Sequence, residues 1–395
     1  MHDVDQPLCN IPWHRLERCV AQTPCDPVSL DWLEKAGVQA WVHRADELLP
    51  EVAGNKLYKL FGNLWLAKAE KTGVVSLGGA WSNHLHALAQ ACSVLNIPVA
   101  ALVRQWGSGE NADKTATLLD CEKAGMDLRS ISRGEYRELR HMSAGDVFGC
   151  YGFSENNVFV PEGGSSLAGL LGCYHWGKGL AGEVISKQLE DVWVACGTGA
   201  TLAGLMCGLS AELKARGFPK DQLPKVVGVA ALKTLRDGES FLQRDIQGQI
   251  EKLQRFLPTL KTLPFVDWQL VSDGYDRGFG QASPELLEFM QETEGQLRFQ
   301  LEPVYTAKVL FALSHSVAQN KHSGKRILVV HTGGLQGRRG WPELQMADQV
   351  MPGLTKAGQA TSGQNVTLGC SANKSSIFTE LYSDEYVDVD NGEWT

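Results

Sequence analysis

Three stretches of the chain share one pattern: a short, continuous run of β-branched and apolar residues, then glycines, then small polar residues. They are VVSLGGAWSNH (Val74 to His84), VWVACGTGATLAG (Val192 to Gly204) and ILVVHTGGLQG (Ile327 to Gly337). Unbroken apolar runs of this length predict strands buried on both faces, and the glycines after them predict turns that lead into helices. IPVAALV (Ile97 to Val103) and KVVGVAAL (Lys225 to Leu232) add further strands. Between them, Leu85, Leu88, Ala89, Cys92 and Leu95 recur at helical spacing, so Leu85 to Leu95 is expected to be a helix with one apolar face. Alternating strands and helices predict an α/β protein with open, twisted, parallel-rich sheets flanked by helices, and ligands at the carboxyl ends of the strands. The segment 73–186 carries enough strands for a smaller α/β unit. Residues 1–72 and 187–351 are then expected to form a larger, discontinuous, cofactor-binding unit. From residue 352 to 395 the chain turns polar and then acidic, which predicts a mobile or strap-like tail.

Bulk properties narrow the chemistry. A chain of 395 residues can bury a large core, and a net charge of −8 with no basic run argues against nucleic-acid binding. No stretch approaches the ~18 uncharged apolar residues of a membrane span, and the first residues lack a signal-peptide core, so a cytoplasmic protein is expected. The ten cysteines are scattered without C-x-x-C pairs, which predicts small core residues in a reducing compartment and no metal site. Glycine is in excess, 42 residues or about a tenth of the chain. Where it follows strands it predicts close approach of the backbone to a ligand.

Three stretches carry candidate chemistry. In CGTGATLAG, Gly197, Thr198, Gly199, Ala200 and Thr201 lie between a strand and a helix start, where amides and hydroxyls can hold a phosphate; a ligand-free tight turn is the plain alternative. The sixth position of a dinucleotide fingerprint is Leu202 rather than glycine, and no Walker lysine follows. In GGAWSNH, Ser82 or Asn83 can cap a helix, and Ser82, Asn83 and His84 together offer donors for a small carboxylate. In AGNKLYKLFGNLW, two lysines, Lys56 and Lys59, sit three apart among Leu, Tyr, Phe and Trp. A solvated pair at this spacing is only mildly unfavourable, but a lysine held among apolar groups beside another cation has its amine pKa lowered, as condensation with an aldehyde at neutral pH requires. An amine, a phosphate turn and a carboxylate site are the parts of a pyridoxal-phosphate enzyme acting on an amino acid.

From about Trp41 to Gly337 the chain resembles the fold-type II pyridoxal-phosphate enzymes, in the branch of 1-aminocyclopropane-1-carboxylate deaminase and D-cysteine desulfhydrase. GNKLYKL is similar to the branch's G-N-K-x-R-K-L box, with Tyr58 in place of arginine; GGAWSNH, VPEGGSSLAGLLG, LEPVYTAKV and HTGG match further motifs in order. The resemblance implies a tryptophan synthase beta-like fold, pyridoxal 5'-phosphate as cofactor and a homodimer. It implies that Lys59 carries the cofactor, that Lys56 supports it and that Asn83 meets its ring. Gly197 to Thr201 then hold the phosphate, Thr306 stands at the ring nitrogen, and Thr332 lies beside the cofactor. Ser82, Asn83, His84 and Phe279 are implied for the substrate, with Lys59, Ser82 and Tyr305 as the catalytic set.

Thr306 and His84 are the residues of the desulfhydrase side, whereas deaminases carry glutamate and glutamine there. Phe279 replaces the tyrosine of a G-Y-G element, which leaves Tyr275 or Tyr305 to supply a hydroxyl. The implied activity is that of a lyase or hydrolase on a small amino acid, with D-cysteine going to pyruvate, sulfide and ammonia. A 1-aminocyclopropane-1-carboxylate deaminase or another small-amino-acid deaminase, a non-catalytic cofactor-binding protein, and a nicotinamide dehydrogenase are the alternatives.

Overall fold

A computed structural model describes residues 6–49, 52, 54–105, 113–231, 235–236, 239–263, 265–271, 280–345 and 374–383. Its strands in chain order are β1 (Cys25–Val28), β2 (Gln39–His43), β3 (Val74–Gly78), β4 (Val99–Arg104), β5 (Asp127–Ile131), β6 (Val158–Val160), β7 (Asp191–Cys196), β8 (Lys225–Ala230), a minor pair β9 (Leu235–Arg236) and β10 (Glu239–Ser240), then β11 (Trp268–Val271) and β12 (Arg326–Val330). The larger sheet runs β1-β2-β12-β7-β8-β11 and is parallel except for β1 against β2. The smaller sheet, β5-β4-β3-β6, is wholly parallel. Every strand of the smaller sheet falls within 73–186, and every strand of the larger sheet outside it.

The apolar runs form strands because both of their faces are covered. In β7, Val192, Val194 and Cys196 point into one core, while Trp193 and Ala195 point into a second core on the opposite face. β12 divides in the same way, with Leu328 and Val330 on one side and Ile327 and Val329 on the other. The first core is continuous through both sheets and also takes in Val74, Val99 and Ala101 of the smaller one.

Five helices position the site: α1 (Asn55–Ala69), α2 (Asn83–Leu95), α3 (Leu167–Lys187), α4 (Ala200–Ala215) and α5 (Thr306–Ala318). Their packing revises the reading of the glycine excess. Side chains at Gly169 and Gly172 of α3 would fall on the carbonyl oxygens of Gly164 and Tyr58, and one at Gly208 of α4 would fall on that of Tyr174. Glycines inside helices therefore let α3 lie against the backbones of α1 and α4, a role separate from the turns after strands. Tyr58 shows why arginine is absent from the lysine box. Its ring is buried and stacked on Trp176 of α3 at 4.2 Å, where a guanidinium would be stranded in an apolar core.

The described part of the tail, 374–383, lies against the core as a strap. Lys374–Leu381 forms a helix, α6, and Phe378, Leu381 and Tyr382 are buried against the main core. Tyr382 meets Phe61 at 5.1 Å and Trp65 at 6.1 Å, both on α1, and Arg15 donates to the carbonyls of Leu381 and Ser383 at 2.9 Å. Three apolar side chains in a polar tail suffice to dock it, because their burial outweighs the cost of ordering a short helix. Tyr382→Ala is expected to destabilise the protein by about 3 kcal/mol, the cost of deleting a buried aromatic, in a reversible denaturant titration.

Candidate active site

A cavity opens at the carboxyl ends of β7 and β12. Asn55, Lys56 and Lys59 of α1 form one wall, Asn83, His86 and Ala87 of α2 another, and the β7 turn through Gly199 a third. Tyr305, Thr332 to Gly334, Gln336 and Gly163 complete it.

The entry to α1 fixes the two lysines. Gly54 has φ +72°, and a Cβ there would collide with the carbonyl of Thr332, so only glycine lets the chain pass this close to the end of β12. Asn55 then donates its backbone N–H to Thr332 O (3.2 Å) and its Nδ2 to Thr201 Oγ1 (3.0 Å). Lys56 Nζ donates to Asn55 Oδ1 at 2.9 Å. One turn on, Lys59 Nζ donates to Gly163 O at 3.1 Å. Burial, and after it the charge of Lys59, push the Lys56 amine down to about 7; burial also lowers that of Lys59. The two like charges in an apolar run are thus two amines facing one cavity, each with its pKa lowered by burial.

Glu302 is a member of this neighbourhood that the motif reading passed over. It lies in LEPVYTAKV where the branch has aspartate, and its carboxylate accepts from the amides of Val304 (3.0 Å) and Tyr305 (2.7 Å). Burial raises its pKa to about 7 against the opposing pull of those amides, Lys308 and Lys56.

The β7 turn fits a phosphate. Gly199 has φ +88°, and a Cβ on it would come within 2.8 Å of the Ile246 side chain; a Cβ on Gly197 would press on the Tyr305 ring at 3.3 Å. Gly199 is also the N-cap of α4 and gives that helix no side-chain cap. The first amides of α4 therefore lack intrahelical partners and face the cavity end with the positive pole of the helix. Thr198 is held from two sides, by Ser165 Oγ at 2.7 Å and by Gln249 Nε2, which donates to its carbonyl at 2.7 Å. A cradle of glycines and threonine hydroxyls at an uncapped helix start, with amines of lowered pKa across the cavity, fits pyridoxal 5'-phosphate at both its anionic and its aldehyde ends.

The remaining expected residues divide. Thr201, Asn83, Tyr305 and Thr332 line the cavity together with the lysines and the glycine turn. Asn83 Oδ1 accepts from Gln336 Nε2 at 2.8 Å, and a side chain at Gly334 would collide with its amide. Ser82, His84, Ala200 and Thr306 are not part of the lining. Ser82 is the N-cap of α2, its Oγ accepting from Leu85 N at 3.1 Å. His84 is buried with Nε2 on Ser76 Oγ at 2.8 Å. Thr306 opens α5 fully buried, and its hydroxyl has no hydrogen-bond partner among the described residues. Phe279 and Tyr275 lie outside the described residues. His86, which drew no role from the sequence, does face the cavity. Successive residues on a helix point about 100° apart, so Asn83 shares its face with His86 and Ala87 rather than with His84.

Comparison with known proteins matches the chain to a family that uses this cofactor. The family described as pyridoxal-phosphate dependent enzyme matches residues 16–333. A bifunctional D-cysteine desulfhydrase/1-aminocyclopropane-1-carboxylate deaminase of Arabidopsis thaliana is 27% identical over 346 residues, covering 83% of this chain and 80% of its own. A D-cysteine desulfhydrase of Salmonella schwarzengrund is 28% identical over 337 residues, 81% of this chain and 94% of its own. Among solved structures, a 1-aminocyclopropane-1-carboxylate deaminase homologue superposes with a TM-score of 0.65 at 22% identity, covering 84% of this chain and 98% of its own. These names speak for lyase and deaminase chemistry, and the broader expectation of a hydrolase is dropped.

Proposed function

The chain belongs to the pyridoxal-phosphate dependent enzyme family, and we propose that it eliminates the β-substituent of a small amino acid, with D-cysteine going to pyruvate, sulfide and ammonia. The observation that carries this reading is the meeting, in one cavity, of two lysine amines of lowered pKa and the uncapped glycine turn of α4. The names of the Arabidopsis and Salmonella relatives support the substrate class. When bound, the cofactor supplies an electron sink for the charge left at the substrate Cα.

The residues take their parts from where they stand. Thr198, Thr201 and the amides of α4 hold the phosphate; Asn83 and Thr332 border the ring. The backbone N–H groups at the start of α2, where Ser82 is the cap, receive the substrate carboxylate. Sequence reading placed the covalent link on Lys59. Both amines line the cavity and each donates one hydrogen bond, but two observations favour Lys56: its amine is pushed down to about 7, and its side chain is half-buried where that of Lys59 is buried. Lys59, which also feels Cys196 at the start of the phosphate turn, then serves as the cation beside the phosphate. The freed lysine is the base that takes the Cα proton.

Borohydride reduction of the holoprotein followed by peptide mapping is expected to find the pyridoxyl label on Lys56. A label on Lys59 restores the sequence assignment, and a label on neither ends this account of the site. A homodimer and a cytoplasmic location belong to the same reading; among the described residues no helix is long and apolar enough to cross a membrane. In it, 73–186 is the smaller unit, and 1–72 with 187–351 is the larger one that holds the cofactor.

A further inference from the structure

Asn83, His86 and Gln336 are joined behind the cavity wall by a chain of polar contacts. Gln336 Nε2 donates to Asn83 Oδ1 at 2.8 Å, and Arg339 Nε donates to the carbonyl of Gln336 at 3.1 Å. The Arg339 guanidinium also pairs with the carboxylate of Asp120, whose Oδ2 lies 3.3 Å from His86 Nε2. The chain of contacts ties α2 to the helix Ala116–Lys123 and to the turn Leu335–Gly340. His86 and Asp120 are both largely sheltered, with side-chain exposures of 14% and 24%.

This is the arrangement of an acid–base histidine with an orienting carboxylate. Asp120 Oδ2 accepts from His86 Nε2–H and fixes the ring, which leaves Nδ1 as the nitrogen for a ligand in the cavity. Burial, against the pull of Asp120 and with Arg339 adding to it, lowers the His86 pKa, so its imidazolium gives up a proton readily. The charged groups that meet His86 are thus Asp120 and Arg339, with Lys56 and Lys59 on the facing wall of the same cavity. A purely structural histidine would sit as His84 does, buried on a serine and away from the lining.

We propose that His86, oriented by Asp120, donates a proton to the departing β-substituent of the substrate. This rests on the elimination reading above. The Cα–H bond breaks with its proton going to the lysine amine and its electron pair forming the Cα=Cβ bond. The Cβ–X bond breaks with its electron pair going to X, and X takes the proton of the His86 imidazolium. The products are H–X, the α,β-unsaturated amino acid that water hydrolyses to keto acid and ammonia, and a neutral imidazole, which is recharged from water.

The test compares a substituent that needs a proton to leave with one that does not, in the holoenzyme, by release of keto acid from D-serine and from β-chloro-D-alanine. In His86→Gln the ratio of kcat/KM for serine to that for chloroalanine is expected to fall on the order of 10²-fold, the size of a general-acid contribution. In Asp120→Asn the imidazolium loses its partner and gives up its proton more readily. The limb of the serine pH profile in which activity is lost as pH rises is therefore expected to move to lower pH. A ratio within about two-fold of wild type in His86→Gln, or an unmoved limb in Asp120→Asn, overturns the role of His86 while leaving elimination intact. A wild-type holoenzyme that releases keto acid from neither compound overturns the elimination reading itself.

Discussion

Lys56→Ala is expected to lose the covalent attachment of the cofactor and to lower kcat/KM by ~10⁴-fold or more, the scale seen when a covalent nucleophile is deleted. Lys59→Ala removes a cation from the phosphate end and is expected to weaken cofactor affinity by about thirtyfold, one charge-assisted hydrogen bond of about 2 kcal/mol. The two variants differ most clearly in pH dependence. Attachment needs the neutral amine, so uptake of the cofactor by the apoprotein, followed by its visible absorption, rises with pH through about 7 and then levels. The charge of Lys59 is one cause of the low Lys56 pKa. Its removal raises that pKa, and the uptake curve of Lys59→Ala is expected to shift to higher pH. A Lys56→Ala protein that still carries a pyridoxyl label at position 59, with uptake like that of wild type, would reverse the two roles.

The parts of this site that could be read in the sequence are those made by contiguous residues. A β-branched run that ends in glycines becomes a buried strand and a turn whatever the rest of the chain does, so β3, β7 and β12 and the Gly197 to Thr201 cradle were legible. The lysine pair was legible because charge in an apolar run is costly unless it is used. What the sequence hid depends on contacts between distant segments. Glu302 gains its raised pKa only when tertiary packing buries it, and Tyr58 is explained only by Trp176 more than a hundred residues away. The helix glycines of α3 and α4 have no local signature, since what matters is the backbone they meet. His84 and His86 illustrate a different limit. Reading Ser-Asn-His as one cluster ignored the helical rotation, which turns His84 inward to Ser76 and brings His86 to the cavity. Helix α6 was missed because Phe378, Leu381 and Tyr382 are too few to stand out in a polar tail.

Gly54→Ala is expected to be the most damaging single-methyl change near the site. The backbone at Gly54, φ +72° and ψ −145°, is one that residues with a side chain rarely adopt. The added carbon would also fall on the Thr332 carbonyl and the Gly333 amide. Both sides of that contact are pinned: Gly54 N–H bonds Ala45 O at 2.9 Å, Asn55 N–H bonds Thr332 O, and Thr332 lies two residues past the end of β12. Relief therefore requires moving either the start of α1, which carries Lys56, or the strand end that carries Thr332. Strain and clash together are expected to cost about 4 kcal/mol, a fall of roughly 5–10 °C in melting temperature, with cofactor uptake weakened in parallel. Gly182→Ala is the control. It lies inside α3 with open space around its Cβ position and an ordinary helical φ, and there alanine is expected to stabilise by about 0.5–1 kcal/mol. If Gly54→Ala melts with the wild type and takes up cofactor normally, the close passage of α1 across β12 does not position the lysines, and the geometry of the site needs another cause.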